Sequence, residues 1–138
     1  MRFATIAMAA GVAGVATLAI AAVPASPLGP PPASGAGLPE GQCMILRDVG
    51  NHSVVDKNTL LVEAVGKNRG LYRFTMTNGC LKSAISSDPI GMSQVSHGGV
   101  ICKPRDVTLH ARSGLCAVDS IARLTPDEAA ALPRKLKP

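Results

Sequence analysis

Four cysteines are the residues of this chain with the most definite chemistry: Cys43, Cys80, Cys102 and Cys116. Cysteines either ligate zinc, usually from closely spaced pairs, or oxidise in pairs to disulfides. The shortest separation leaves thirteen residues between Cys102 and Cys116, and no Cys-x-x-Cys motif occurs. An even number of widely spaced cysteines in a short exported chain predicts two disulfides. We therefore expect no metal site and no cofactor at these residues.

The pairing of the cysteines is partly constrained by the predicted strands. Cys116 follows the turn of the last hairpin, whereas Cys102 precedes the partner strand and falls at the opposite end of that hairpin. At about 3.3 Å per residue, this separation exceeds the roughly 4.4–6.8 Å between the Cα atoms of a disulfide. A Cys102–Cys116 bridge is therefore disfavoured, and with it Cys43–Cys80. Of the two remaining pairings we expect Cys80–Cys102 together with Cys43–Cys116.

The other residue types capable of catalysis are scattered along the chain. His52, His97 and His110 show no metal-binding spacing, and no glycine-rich phosphate loop occurs. Asp106 and Asp119 are predicted on the last two strands, where a salt bridge with a neighbouring arginine is favoured over catalysis. We therefore assign no catalytic residue. A cleft lined by two or more of His97, His110, Asp106 and Asp119 would favour an enzyme.

The first 25 residues have the pattern of a secretory signal peptide. Arg2 supplies a positive charge, residues 3–23 are uncharged and rich in Ala, Val, Leu and Ile, and Val23 and Ala25 suit cleavage after Ala25. A membrane anchor is the alternative, because about 20 apolar residues can span a bilayer. The run is rich in Ala and Gly, and no basic flank follows it, so we expect cleavage, no stable membrane span afterwards, and a periplasmic or secreted protein.

The remaining chain divides by composition into three parts. Residues 26–42 are rich in Pro and Gly and predict an extended or disordered linker. Residues 43–133 form one domain, and the basic segment 134–138 is expected to be a disordered tail. Without Arg2, 13 of the 14 basic residues remain against 9 acidic ones, a net charge of +4. This mild excess suits an anionic surface as a partner.

Short apolar runs between turn residues predict that the domain is mostly β. Six such runs are candidate strands: Cys43–Arg47, Thr59–Val65, Leu71–Thr77, Ile90–Ser96, Asp106–His110 and Leu115–Arg123. Short strands at such regular spacing are typical of a small antiparallel barrel or sandwich. In the third run, Tyr72, Phe74 and Met76 are expected to face the core, while Arg73 and Thr75 face solvent. Since the only two aromatic residues after the leader belong to the core face, we expect no nucleic-acid binding.

The exception to the β pattern is a short helix near the end of the chain. Thr125 is a predicted N-cap, Pro126 suits the first helical position, and Glu128 completes a capping box. Pro133 ends the helix. At about two turns it cannot be stable alone, so we expect it to pack on the β domain through Leu124 and Leu132.

An ordered set of short motifs runs through the predicted domain. The motifs are Cys43, Asp56-x-x-Thr59-Leu60-Leu61, Tyr72, Cys80-Leu81, Ile101-Cys102, Asp106 and Cys116-x-Val118-x-x-Ile121. This set resembles an uncharacterised family of small secreted or lipid-anchored proteobacterial proteins, a domain of unknown function with four spaced cysteines. The chain departs from the family where Lys103-Pro104-Arg105 precedes Asp106. The resemblance implies a β-rich envelope protein and no particular activity.

The expected function follows from the absence of any catalytic motif in the sequence. We expect a non-enzymatic envelope domain that is structural or binds a protein partner. The alternative is a small-ligand-binding or inhibitor module that presents the segment Asp88–Gly99 as its contact loop. An enzyme of unknown class is the third interpretation.

Overall fold

A computed structural model of the chain describes residues 28–86, 88–95 and 98–138. The predicted signal peptide, residues 1–25, and its cleavage site lie outside the described residues. The described segments form eight strands and one α-helix: β1 (Met44–Ile45), β2 (Val49–Asp56), β3 (Thr59–Ala64), β4 (Gly70–Met76), β5 (Gly91–Gln94), β6 (Val100–Ile101), β7 (Val107–Ala111), β8 (Gly114–Arg123) and α1 (Pro126–Ala131).

Six of these strands form one antiparallel sheet that is curled into a half-barrel, in the order β2-β3-β4-β8-β7-β5. The remaining two, β1 and β6, pair with each other in a separate ribbon. This confirms the predicted mostly β architecture with a short C-terminal helix. The inner, concave face of the sheet carries the main core. The outer, convex face is covered by other segments in one part and open to solvent in another.

Two strands were not predicted from the sequence. The edge strand β2 contains Gly50 and Asn51 and shows no simple apolar alternation, so periodicity does not reveal it. The strand β6 has only two residues. The first predicted run, Cys43–Arg47, is a strand only at Met44–Ile45 and lies outside the main sheet. The count of six strands in the sheet therefore agrees with the prediction, but one member differs.

The inner face of the sheet is filled by aliphatic and aromatic side chains from alternate strand positions. Tyr72, Phe74 and Met76 on β4 are all buried there, as the alternation predicts. They pack in one cluster with further buried residues from the neighbouring strands and from β1 and β6, namely Met44, Leu60, Val62, Ala64, Ile101, Val107, Leu109, Cys116 and Ile121.

The segment between β4 and β5 crosses the open side of the half-barrel. Leu81 is buried in the main cluster, and its backbone N–H donates to the carbonyl of Lys57 at 2.9 Å. Further along, Nε2 of His52 on β2 is hydrogen-bonded to the carbonyl oxygen of Asp88 at 2.9 Å. This segment therefore connects the two edges of the sheet, which do not pair with each other.

Both disulfides are present, but the preferred pairing was wrong. The structure joins Cys43 to Cys102 and Cys80 to Cys116, with Cα–Cα distances of 4.5 Å and 5.7 Å. The first bridge continues the β1–β6 ribbon, because Met44 pairs with Ile101 immediately beside the two cysteines. The prediction failed because it did not include β6 and so could not bring Cys43 and Cys102 together. The exclusion of a Cys102–Cys116 bridge agrees with the structure.

A register shift divides the outer face of β8 into two parts. On β8, Ser120 pairs with Thr75 of β4, whereas Val118 pairs with Met76, so one extra residue, Asp119, lies between the two registers. Such a bulge bends the strand and increases its twist. On its outer face, Ala117 before the bulge is exposed and Ser120 after it is buried.

The outer face beyond the bulge is covered by the N-terminal segment 28–38, which we call the strap, and by α1. Leu28 of the strap, Leu61 of β3, and Leu124 and Leu132 beside α1 form a second buried cluster. Residues 26–42 were predicted to be an extended or disordered linker, and the described part of that segment packs on the sheet. The two large apolar residues of the described part of that segment, Leu28 and Leu38, are both buried, Leu28 in this second cluster and Leu38 in the main core.

Backbone hydrogen bonds fasten the second half of the strap. The N–H of Gly35 donates to the carbonyl of Asp119 at 2.9 Å, and the N–H of Ile121 donates to the carbonyl of Ala36 at 2.9 Å. The strap therefore hydrogen-bonds to the edge of β8 that β7 leaves unpaired beyond Ala117. At Gly37 a Cβ atom would lie 2.5 Å from the carbonyl oxygen of Cys102, so only glycine permits this approach.

The covering of this face overturns the prediction that Arg73 and Thr75 face solvent. Their alternation with the core residues is as expected, but Arg73 is only 7% exposed and Thr75 is half-buried. The guanidinium of Arg73 lies under the strap and donates to its carbonyl groups. The prediction was wrong because alternation shows only that these two residues lie on the outer face of the sheet. It does not show that the strap, which is distant in sequence, covers that face.

The C-terminal helix has the predicted capping box. The N–H of Glu128 donates to Oγ1 of Thr125 at 3.2 Å, and the N–H of Thr125 donates to Oε2 of Glu128 at 2.8 Å. These hydrogen bonds lower the pKa of Glu128. Leu124 and Leu132 are buried as expected. The expected tail begins with a 3₁₀ turn at Arg134–Leu136, and Leu136 packs against the second cluster.

Candidate functional site

The outer face of the sheet on the other side of the bulge is open to solvent, and we call it the bare face. It consists of two adjacent rows of cross-strand neighbours on β5, β7 and β8. One row is Gly91, His110 and Leu115, and the other is Ser93, Thr108 and Ala117. None of the six residues carries a permanent charge. Leu115 is 71% exposed, the largest exposed fraction among the exposed large apolar residues of the described chain.

Ser93 and His110 form the one pair of catalytic residue types that the bare face brings together. The hydroxyl Oγ of Ser93 and Nε2 of His110 lie 2.6 Å apart, on neighbouring strands. A serine nucleophile requires a histidine that is itself oriented by a third group. No carboxylate of the described residues is hydrogen-bonded to His110, so the pair lacks that third group. The contact instead fixes the imidazole over the open face of the sheet.

A cavity of about 290 Å³ lies beside His110, and Asp88, Pro89, Ala111 and Arg112 also line it. The Asp88 carboxylate accepts the backbone N–H of Ile85 at 3.1 Å, so it stabilises a turn. Neither Asp106 nor Asp119 lines this cavity. The structure therefore does not bring these predicted acids and His110 into a shared cleft, and His97 lies outside the described residues.

Asp106 stabilises the turn that precedes β7. Its Oδ2 accepts the backbone N–H groups of Cys102 at 3.0 Å and Lys103 at 2.8 Å. Burial alone would raise the pKa of Asp106, but these two backbone hydrogen bonds, with the charges of Arg105 and Lys103, outweigh burial and lower it. The carboxylate is thus held ionised in a capping role.

Asp119, at the bulge, binds the strap instead of an arginine. Its Oδ1 accepts the hydroxyl of Ser34 at 2.5 Å, and its carbonyl accepts the N–H of Gly35. The expected salt bridges of Asp106 and Asp119 with nearby arginines are therefore replaced by hydrogen bonds to the backbone and to a serine. Both acids therefore have structural hydrogen-bond partners in this conformation.

The Cys80–Cys116 disulfide joins the segment between β4 and β5 to β8, on the side of the sheet opposite the bare face. Cys116 is fully buried and pairs across the sheet with Leu109, directly beside the exposed Leu115. The hydroxyl of Ser113 also donates to the carbonyl of Cys80. A covalent link and a hydrogen bond therefore hold the β7–β8 turn against the crossing segment.

Other exposed apolar side chains lie near the loop that was predicted as a contact loop. Val95 at the end of β5 is 66% exposed, and Val100 on β6 is also exposed. The base of this loop is held by the N–H of Gly99, which donates to Oε1 of Gln94 at 2.8 Å. Residues 96 and 97 lie outside the described residues.

Metal-binding clusters and membrane-spanning helices are both absent from the described residues. No group of three or more histidine, cysteine, aspartate or glutamate side chains is arranged to hold a metal ion. No helix in the same segments has both the length and the apolar character needed to cross a bilayer. The two disulfides themselves indicate an oxidising compartment outside the cytoplasm.

Sequence reasoning missed both the bare face and the strap. The bare face carries no motif, and its residues come from three strands that only the sheet order brings together. A signal for the strap was available, because Leu28 and Leu38 are the only large apolar residues within 26–42. No family model, no curated protein and no solved structure matches the chain. The family resemblance and the function it implies therefore stay predictions.

Proposed function

We propose that the chain is an exported envelope domain that binds a protein partner through its bare face and performs no catalysis. The observation that carries the proposal is an uncharged, open sheet face in a chain with a net positive charge. The cores of protein–protein interfaces are depleted of charged residues, whereas ordinary surfaces carry many. We infer a partner that presents a flat, uncharged surface with an apolar contact for Leu115.

The rigidity of the face supports the same proposal. Binding is stronger when the contact residues are already ordered, because less conformational entropy is lost on association. The disulfide beneath β8 and the Ser93–His110 hydrogen bond supply that order. The localisation that fits is the periplasm or the extracellular space, since both sustain disulfides. An anionic surface is a weaker fit, because the basic residues Arg134, Lys135 and Lys137 lie in the C-terminal segment and not on the bare face.

The test uses a photo-crosslinking amino acid at position 115 of the full-length chain, expressed in cells that export it. We expect one discrete adduct, which mass spectrometry identifies and which is then purified for direct binding measurements. A crosslinker at Ile85, which is 62% exposed and off the bare face, is the matched control. With the purified partner, Leu115→Asp should weaken binding at least about tenfold, since removing one well-buried contact often costs 1–2 kcal/mol or more, while Ile85→Asp should not.

The result that contradicts the proposal is a purified adduct partner whose affinity is unchanged by Leu115→Asp, or the absence of any adduct at position 115. An adduct with a second copy of the chain would identify the partner as the protein itself. Analytical ultracentrifugation of the mature chain at several concentrations then decides whether that self-association occurs in solution.

A small-ligand or inhibitor module remains the second candidate, favoured by the exposed Val95 at the loop that ends β5. The Gln94–Gly99 hydrogen bond holds the base of this loop, and a contact that is ordered in advance loses less entropy on binding. This candidate predicts that Val95→Asp abolishes binding to the purified partner while Leu115→Asp does not. The same binding assay therefore separates the two functions.

A further inference from the structure

The buried guanidinium of Arg73 has no carboxylate hydrogen-bonded to it among the described residues. It donates from Nη1 to the carbonyl of Leu28 at 2.6 Å and from Nη2 to that of Pro30 at 2.8 Å, with a longer contact to Gly29 at 3.4 Å. Burial lowers the pKa of Arg73, and the nearby charge of Glu128 partly opposes this effect. Buried charges are usually paired with an opposite charge or fully hydrogen-bonded. Here the partners are main-chain carbonyls alone.

The side chain of Leu28 provides the second half of this contact. Leu28 is 3% exposed and packs against Leu61, Leu124 and Leu132, which come from β3 and from both ends of α1. Receptors for extended peptides combine these two elements, with hydrogen bonds to the peptide backbone and a pocket for an anchoring side chain. The strap is thus bound in the manner of a peptide ligand.

The composition of the strap matches the chemistry of the surface it covers. Leu28 and Gly29 are followed by Pro30, Pro31 and Pro32, which have carbonyl acceptors but no N–H donors. The three prolines have fixed φ angles, so they lose little entropy on binding, whereas Gly29 turns the backbone with a φ of 63°. Arg73 offers only donors. The donor-only side chain of Arg73 therefore faces the carbonyl groups of a segment in which three consecutive residues have no N–H.

Several polar atoms of the surface beneath the strap nevertheless have no hydrogen-bond partner. The buried side-chain polar atoms without a hydrogen-bond partner in the described chain are Oγ of Ser53, Nε of Arg73, Oγ1 of Thr75 and Oγ of Ser120. All four belong to the covered outer face, because Ser53 is in register with Leu61, and Thr75 with Ser120. Unpaired buried groups are rare in permanent cores.

Arg73 and Thr75, which carry two of these atoms, line a cavity beside the strap. It has a volume of about 250 Å³ and is lined by Leu28, Gly29, Pro31, Asp56, Asn58, Thr59, Arg73 and Thr75. Nε of Arg73 and Oγ1 of Thr75 are themselves buried and have no hydrogen-bond partner. The strap therefore leaves one donor of Arg73 unused, in a side chain that lines open space. The carboxylate of Asp56 in the lining disfavours an anionic occupant.

From these contacts we propose that the surface beneath the strap, formed by β3, β4 and α1, is a groove for proline-rich peptides with a leucine anchor. The strap is its resident intramolecular occupant and holds the groove closed. A peptide from another protein that offers one more carbonyl to Arg73 displaces the strap. This groove is separate from the bare face, so the inference does not depend on the proposed function.

The test uses the oxidised mature chain and an acetylated, fluorescent peptide with the sequence of residues 28–34, Leu-Gly-Pro-Pro-Pro-Ala-Ser. In the full-length mature chain, Leu28→Ser removes the anchor of the strap and leaves the groove intact. The apparent dissociation constant is the intrinsic one divided by the fraction of open groove, so this variant should bind the peptide at least about tenfold more tightly than the wild type.

Two matched controls define the contact. Adding Arg73→Gln to the Leu28→Ser chain should abolish peptide binding, and a peptide with serine in place of its leucine should not bind the Leu28→Ser chain. Equal affinity of the peptide for the wild-type and Leu28→Ser chains, or no binding to either, overturns the proposal. The strap is then a permanent part of the fold.

A second measurement keeps the proposal testable if Leu28→Ser does not fold. In the wild-type chain labelled at leucine methyl groups, unlabelled peptide at several millimolar competes with a tethered strap whose effective concentration is on the order of millimolar. We expect the Leu28 methyl signals to move towards their unfolded positions while those of Leu109, in the main core, stay in place. Unchanged Leu28 signals at saturating peptide overturn the proposal.

Discussion

The outer face of the six-stranded sheet is covered on one side of the β8 bulge and open on the other. On the covered side, Leu61 and Arg73 lie beneath the strap and α1. On the open side, His110 and Leu115 project from strands of the same sheet into solvent. Both sides share one inner core, so the inner packing does not explain the difference. A segment far away in the sequence decides which outer residues are structural.

This comparison also teaches how to assign roles to residues of the same type. Arg73 lies on a strand and is buried against main-chain carbonyls. Arg112 lies in a turn and is exposed beside a cavity. Leu61 and Leu115 differ in the same way. Substitutions made in pairs, one on each side of the bulge, therefore measure the effect of the covering directly.

The largest difference is expected for the leucine pair. Leu61→Ala removes a side chain that is fully buried in the second cluster, so it should reduce the free energy of unfolding by about 2–5 kcal/mol. Leu115→Ala should change it by less than about 0.5 kcal/mol, because the side chain is exposed. Urea unfolding of both oxidised variants measures these values. Equal shifts of the two midpoints would show that the second cluster does not form.

The arginine pair gives the next largest effect. Arg73→Met keeps most of the volume but leaves the carbonyls of Leu28 and Pro30 unpaired, so we expect a loss of about 1–3 kcal/mol. Arg112→Met should stay within about 0.5 kcal/mol. The same unfolding experiment applies. A neutral or stabilising Arg73→Met would mean that an apolar contact serves the strap as well as the hydrogen bonds do.

The threonine pair compares a helix cap with an open strand. Thr125→Ala removes the N-cap of α1, which should cost about 0.5–2 kcal/mol. Thr108→Ala on the bare face lacks such a role and should cost less than about 0.5 kcal/mol. Thermal unfolding of both variants provides the comparison. If the Thr125 variant is unaffected, α1 contributes little to the covering.

The smallest effect is a pH dependence confined to the covered side. Since the Thr125 hydrogen bonds lower the pKa of Glu128 in the folded state, its stabilising contribution is complete above the unfolded pKa of about 4.3 and is lost as the pH falls through the folded pKa. The difference in Tm between the wild type and Glu128→Gln should therefore be largest near neutral pH and vanish in acid. A difference that stays constant down to acidic pH contradicts the capping box.

How much the sequence predicts depends on the range over which each feature is encoded. The alternation in β4 placed Tyr72, Phe74 and Met76 in the core, and the Thr125–Glu128 motif placed the helix start, because both are local patterns. The cysteine pairing was wrong because it depends on β1 meeting β6, two strands of two residues each that lie far apart in the chain.

The two outer faces could not be predicted for a related reason. Alternation shows that Arg73 and Thr75 are on the face opposite Phe74, but it does not show whether that face is wet. The answer depends on Leu28 and Leu38, whose segment looks like a linker by composition. The bare face is equally hidden, since His110 meets Ser93 only through the order of the strands.

The most direct test of the division of the outer face measures the solvent exposure of leucine methyl groups. A soluble paramagnetic probe added to the methyl-labelled chain of residues 26–138 broadens signals according to their distance from solvent. We expect strong broadening for Leu115 and weak broadening for Leu28, Leu61 and Leu132. Equal broadening of Leu61 and Leu115 would contradict the account, because the strap and α1 would then not cover the sheet.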